Sequence, residues 1–414
     1  MDQGNYRRGR SLMDVFLQLG YGMMGHCRDL ATEWNEGTVI LSPRDLKPEQ
    51  LTKFAGELAD IGASCLLDPQ FYLPHADHER LKSHSYWPDE YESIAFWQDG
   101  YSELLKSVHE LNAALGCYEL IIPGEYAVEI DDDWLHRQNS FINAATSLDS
   151  ELSTFATVAL SSEVIKDSNQ IHGLLEESQD WDVNGIYLIL EHPSNQYIVE
   201  DPVWLANAID LAAGFRIGGK KVILGYANHQ MLIGACAAVN AIASGTWQNV
   251  RSFMPSKFNA NVSKDIKQRT TWYYCPQALS EFTLPYLDLA DMNGVLDIMK
   301  PTHSALSTPS NILFGGLQPT ATGFAEKESF RHFLQTLRQQ ASESQKSTFD
   351  ETIAHHEMLL SSAENVLSQL HPLGITGGPR DFRNAIQAHT GALAYFKTNR
   401  GPQLRRYWSN IIAS

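Results

Sequence analysis

A short apolar run followed by a helical pattern recurs about eight times between Leu12 and Phe253, and this rhythm restricts the chain to folds built on a parallel sheet. The runs fall at residues 15–19, 38–41, 64–67, 118–122, 155–160, 186–190, 222–224 and 250–253. Each is bounded by turn residues and rich in Val, Ile, Leu or aromatics, as strands buried on both faces require. Helical patterns are clearest at 48–61, 94–115, 134–148, 202–215 and 230–243. Pro48 stands where a helix's first turn accepts proline, and Gly62, Gly116 and Gly245 stand where a helix must stop. Eight such units in about 250 residues predict an α/β fold, a closed (β/α)8 TIM-like barrel. The rival is an open doubly wound sheet, which asks for a glycine-rich phosphate turn after the first strand and an acidic residue ending the next one. Gly20, Gly22 and Gly25 follow the first run, but no acidic residue is placed convincingly at the end of the second.

At 414 residues the chain exceeds one average domain. The economical division is a barrel over 1–253, an irregular connecting segment over 254–325 and a helical appendage over 326–414 with a basic end. The appendage reading rests on helical patterns at 326–340, 350–370 and 379–396. No window approaches ~18 uninterrupted apolar residues, so no membrane span is expected. The start, MDQGNYRRGRSLMDVF, runs into the first strand without a signal-type apolar region, and a cytoplasmic location is the expectation. Cys27, Cys65, Cys117, Cys236 and Cys275 are scattered and read as reduced core thiols, neither a disulfide framework nor a CxxC zinc site.

In a barrel the chemistry sits at the carboxyl ends of the strands, so the residues just after each apolar run are the candidates. Asp68, Glu125 and Glu191 stand out, because a carboxylate attached to a buried strand is costly unless it faces a mouth or a partner. Two carboxylates can divide the cleavage of a glycosidic bond, one protonated as acid and one ionised as nucleophile or base. Asp68 in LLDPQF is the choice for nucleophile or base, and Glu191, beside His192, for proton donor. Gln18, Arg44, Gln70, Tyr72, Tyr226, Asn228, His229 and Arg251 are the polar strand-end residues expected to bind substrate. The bland alternative is that the acids cap helices or pair with Arg44 or Arg251 along the rim.

Other chemistries have weaker signals. His75, Asp77 and His78 lie within one helical turn of one another, but neither an early HxH nor an HExxH helix accompanies them, so no metal is expected; a metal-dependent hydrolase stays as a further alternative. No GxSxG elbow is present, and no cofactor is expected. A net charge of -18 argues against unspecific attraction to a polyanion. The end of the chain is the exception, with Arg383, Lys397, Arg400, Arg405 and Arg406 interleaved with Tyr395, Phe396, Tyr407 and Trp408. That mixture fits nucleic acid as a partner, or a helix pair clamped to the acidic barrel.

The stretch KKVILGYANHQMLIGACAAVNAIASGTWQNVRSF, residues 220–253, resembles the seventh- to eighth-strand passage of the tRNA-guanine transglycosylase superfamily, and ESFRHFLQTLRQQ, residues 328–340, is similar to the helix after its barrel. The resemblance implies a (β/α)8 barrel that breaks an N-glycosidic bond and exchanges a base in nucleic acid through two aspartates. It covers only a small part of the chain, and the family's DSGGFQ segment, its CxCxxC zinc site and its nucleophile motif are missing. The expectation is therefore an enzyme acting at a glycosidic carbon, specifically the N-glycosidic bond of a nucleoside or nucleic acid. The alternative is a non-catalytic barrel that binds a protein partner or a second copy of itself.

Overall fold

The computed structural model describes residues 13–88, 91, 96, 100–148, 150–260, 270–302 and 307–414. Eight parallel strands make the barrel: β1 (Asp14–Gln18), β2 (Thr38–Leu41), β3 (Ser64–Leu67), β4 (Glu119–Ile122), β5 (Ser153–Leu160), β6 (Gly185–Leu190), β7 (Lys221–Gly225) and β8 (Ala241–Ser244). Ladders join β3, β2, β1, β8, β7, β6, β5 and β4 in that order, and β3 packs beside β4 to bring the sheet nearly to closure. A two-residue strand, Tyr126–Ala127, extends the β5 edge at the mouth.

The helices between these strands are α1 (Met24–Trp34), α2 (Pro48–Asp60), α3 (Tyr101–Leu115), α4 (Asp132–Thr146), α5 (Ser168–Glu177) and α6 (Pro202–Ile217). Short acids start several of them: Asp131 accepts from Trp134 N at 2.7 Å, and Asp201 accepts from Val203 N at 2.9 Å. Such caps satisfy amides that the first helical turn leaves without partners. Pro48 opens α2, and Gly116 ends α3 in the left-handed region at φ 69°.

The register shows which residues fill the barrel, because side chains paired across a parallel ladder share a face. Phe16, Gln18, Ile40, Leu66, Ile121, Phe155, Thr157, Tyr187, Ile223 and Ala243 fall on the inward parity, and the same alternation carries past the strand ends to Ser42 and Asp68. Gly225 makes room for this filling: a Cβ there would lie 2.7 Å from the Tyr187 ring.

The eighth unit corrects the sequence reading. The helix expected over 230–243 is a 3-10 stretch, His229–Ala237, which stops where Ala238 turns left-handed at φ 57°, and the eighth strand is Ala241–Ser244. The run at 250–253 instead crosses the mouth, with Phe253 bridging to Glu191. Alanine-rich AIAS carries a helical propensity that ladders to β1 and β7 override. Gly245 ends a strand and not a helix; a Cβ there would lie 2.4 Å from the Gln18 carbonyl.

After the barrel come an antiparallel hairpin, β9 (Trp272–Cys275) and β10 (Ser280–Thr283), and α7 (Leu284–Met292), all within the stretch expected to be irregular. Then follow α8 (Glu326–Ser344), α9 (Phe349–Leu370), α10 (Arg383–Asn399) and α11 (Gly401–Ile411). Helix α8 packs on β1, on the 3-10 stretch and on β9, and so occupies the place of an eighth barrel helix. Helix α10 lies along α6, which explains why α6 is buried on nearly every face. Among the described residues no helix is long and apolar enough to cross a membrane.

Candidate active site at the barrel mouth

Asp68 follows the last residue of β3 and is 0% exposed. Four donors surround its carboxylate. The Tyr72 hydroxyl donates at 2.7 Å to both oxygens, Tyr226 at 2.9 Å and Tyr187 at 3.3 Å to Oδ2, and the Gln70 amide at 2.9 Å to Oδ1. These donors come from β3's own loop, from β6 across the barrel and from the end of β7, so the cluster ties three walls together. Burial pushes the Asp68 carboxyl up to about 6, and the hydrogen bonds from Tyr72, Tyr226, Gln70 and Tyr187 pull only part of the way back. Among the described residues no cation bonds it directly; Arg44 acts on it only through space.

A second layer holds the first. Gln70 accepts the Arg44 amide at 2.8 Å and donates to Tyr226 Oη at 3.0 Å and Ser42 Oγ at 2.9 Å. Gln18 accepts from Tyr187 Oη at 2.9 Å, while its buried Nε2 has no partner among the described residues. Arg44 is paired with Asp45 at 3.0 Å and lies 4.8 Å above the Phe258 ring. Gln70 and Tyr226 sit at φ 54° and φ 52°, the left-handed region that costs a residue with a Cβ. Phe253 and Phe258 close over the cluster, with Tyr72 5.1 Å from the first ring and 4.9 Å from the second.

Glu191 borders the same aromatic group. Its Oε2 accepts the Tyr126 hydroxyl at 2.6 Å and the Ser162 amide at 3.0 Å, Tyr126 packs 5.9 Å from Phe253, and the Tyr126 amide donates to Tyr72 O at 2.9 Å. Asp68 and Glu191 are therefore joined by one shell of rings. Glu125 is not part of it: Arg137 of α4 holds its carboxylate at 3.1 Å, toward the helix layer. Burial raises the Glu125 carboxyl, against the pull of Arg137.

The remaining candidates separate. His192 is buried against Trp204, bonds Gln196 O at 2.9 Å and is pushed down to about 4 by burial. His229 bonds Leu279 O at 2.8 Å among Tyr274 and Phe382 and is also lowered to about 4 by burial. Asn228 caps the 3-10 stretch and donates to Tyr197 O. Arg251 belongs to a second buried cluster, donating to Gly245 O at 2.7 Å and to Glu281 at 3.3 Å, with its guanidinium 3.4 Å above Phe333. Glu281 also takes Arg380 at 2.6 Å and the Tyr197 hydroxyl at 2.7 Å.

The basic end is engaged internally. Arg400 makes a two-point contact with Asp210 at 2.6 and 3.0 Å, Arg405 binds Asp350 at 2.8 Å and Lys397 binds Glu357 at 2.9 Å. Arg383 donates to His371 at 2.6 Å, and Arg406 lies over Tyr407. Arg400, Arg405 and Lys397 thereby tie helix to helix, while Arg406 rests on its own neighbour. His75 stacks on Tyr91, Asp77 binds Lys82 and His78 caps a short helix; among the described residues no group of three or more His, Cys, Asp or Glu is placed to hold a metal.

Tyr187, Tyr126, Phe253 and Phe258 escaped the strand-end search. Tyr187 sits mid-strand, and only its inward parity marks it.

No known protein family matches the chain, and no curated protein matches it. Among solved structures it is similar to a glucosidase from Croceicoccus marinus, at 10% identity and a TM-score of 0.32, over 57% of this chain and 60% of that one.

Proposed function

We propose that this barrel is an enzyme acting at a glycosidic carbon, most specifically the N-glycosidic bond of a nucleoside or nucleic acid. Asp68 serves as nucleophile or base and Glu191 as the second carboxylate, on the proton-donating side. The observation that carries this reading is the Asp68 cage. A carboxyl near 6 is ionised at neutral pH yet basic for an aspartate, which suits proton transfer or attack on a developing oxocarbenium ion. The three tyrosine hydroxyls orient the carboxylate without neutralising it, and rings on either side offer faces for a planar base or a sugar. Strained backbone at Gln70 and Tyr226, both bonded to this cluster, adds to the case, since such strain collects at active sites. With Asp68 sealed beneath Phe253 and Phe258, turnover requires that cover to move aside.

The same seal favours a second reading, a barrel in which Asp68 is a structural hub and no reaction occurs. A panel of nucleosides, oligonucleotides and aryl glycosides, assayed for released base or sugar, tests both. Activity abolished in Asp68→Asn, with the fold intact, supports the enzyme. Wild-type protein inert on every substrate, or an Asn variant as active as wild type, removes Asp68 from catalysis.

A further inference from the structure

The barrel seam between β3 and β4 shows no hydrogen-bonded ladder among the described residues, and two thiols meet across it. Cys65 is the second residue of β3, and Cys117 lies in the turn between Gly116 and β4. Their sulfurs are 3.7 Å apart, in van der Waals contact, and the Cys65 thiol also reaches Leu115 O at 3.4 Å. Both are nearly but not fully covered, at 4% and 5% exposure, whereas Cys27, Cys236 and Cys275 are at 0%. We infer that Cys65 and Cys117 form a disulfide in the folded protein when hydrogen peroxide is present, a covalent bolt across the foot of the open seam.

The geometry asks for little movement. A disulfide of about 2.05 Å requires the sulfurs to close by about 1.7 Å, a distance that side-chain rotation and the absence of ladder bonds at this seam allow. The Cys117 S–H donates toward Cys65 and favours the Cys65 thiolate, the nucleophilic form, against the opposing effect of burial. In the first step the Cys65 thiolate attacks peroxide; an S–O bond forms, the O–O bond breaks and hydroxide leaves. The Cys117 sulfur then attacks the sulfenic sulfur; the S–S bond forms, the S–O bond breaks, and the departing oxygen takes the Cys117 proton as water. The link ties residues 52 apart in sequence and so restricts the unfolded chain strongly. At the other end of the same seam the Tyr126 amide already bonds Tyr72 O, so foot and mouth would both be tied.

The test uses the full-length wild-type protein, treated with hydrogen peroxide, alkylated and mapped by peptide mass spectrometry. The expected result is one link joining the peptides that carry Cys65 and Cys117, reversed by dithiothreitol, with the apparent Tm raised by several degrees. Cys65→Ala and Cys117→Ala should each lose the link and the rise. Recovery of both thiols as alkylated species, oxidation to sulfinic acid without a link, or pairing with any other cysteine would overturn the inference. The wild-type map decides even if a variant fails to fold, and it does not depend on the barrel's reaction.

Discussion

Two carboxylates lie equally deep in this molecule and are held in opposite ways. Asp68 at the mouth meets neutral hydroxyls and an amide, and burial drives its carboxyl up to about 6. Glu281 on the hairpin suffers the same burial, but Arg380 and Arg251 outweigh it and hold the carboxyl at about 2. Depth alone therefore does not decide what a buried acid is for; the charge of its neighbours does. The Glu281 cluster fixes β10 to the barrel and to the turn before α10, whereas the Asp68 cluster holds a carboxylate that is more basic than an ordinary aspartate.

The largest expected effect tests the locked member of this pair. Glu281→Ala leaves Arg251 and Arg380 buried without a counter-charge and should cost about 3–5 kcal/mol by chemical denaturation. A loss below about 1 kcal/mol would show that water reaches the cluster and that its lock is illusory.

The poised member should respond differently. Asp68→Asn should abolish turnover on any substrate the wild type accepts while shifting Tm by only a few degrees. Because the folded carboxyl is raised, the native state holds a proton that the unfolded chain has released between about pH 4 and 6, and wild-type stability falls with rising pH across that window relative to the variant. Parallel curves for the two proteins would place the Asp68 carboxyl outside that range.

Buried histidines bring a change of the opposite sign. His192, His229 and His332 are lowered to about 4 by burial, so the stability they lend is complete above pH 6.5 and is lost as pH falls toward 4. Thermal scans should show Tm dropping steeply across that interval in wild type and in Asp68→Asn alike. A Tm that holds flat down to pH 4.5 would mean these rings are charged or solvated in the native state.

The smallest effects belong to the basic end. Arg400→Gln breaks a partly buried two-point contact with Asp210 and should cost about 1–2 kcal/mol, while Arg405→Gln, at an exposed pair, should leave Tm unchanged within error. If Arg400→Gln, Arg405→Gln and Arg406→Gln together weaken a salt-sensitive binding of DNA or RNA, the segment grips phosphate as well as α6 and α9. If wild type shows no such binding, the segment is a clamp.

Much of this could be read before any coordinates. Short apolar runs between capped helices specify a parallel sheet, because period, length and caps are local properties, and the barrel follows from their number. Asp68 was legible as well: a charge at the end of CLL has to face a mouth or a partner. The AIAS strand was not, since four small residues satisfy helix and strand alike and only pairing with β1 and β7 chooses. Glu125 and Glu191 look the same along the chain, yet one meets Arg137 on the next helix and the other meets Tyr126 and Ser162 at the mouth. Likewise Arg400 and Arg405 look unpaired along the chain until Asp210 and Asp350, 190 and 55 residues away, are brought against them. Local pattern fixes the alternation of strand and helix through the first seven strands and the face on which strand-end residues gather, whereas the eighth strand and the hairpin after it are set by pairing. Which charges are neutralised and which tyrosines enclose Asp68 is settled by the fold, because contacts such as Tyr226–Asp68 and Arg400–Asp210 join residues 158 and 190 positions apart, and no local period records them.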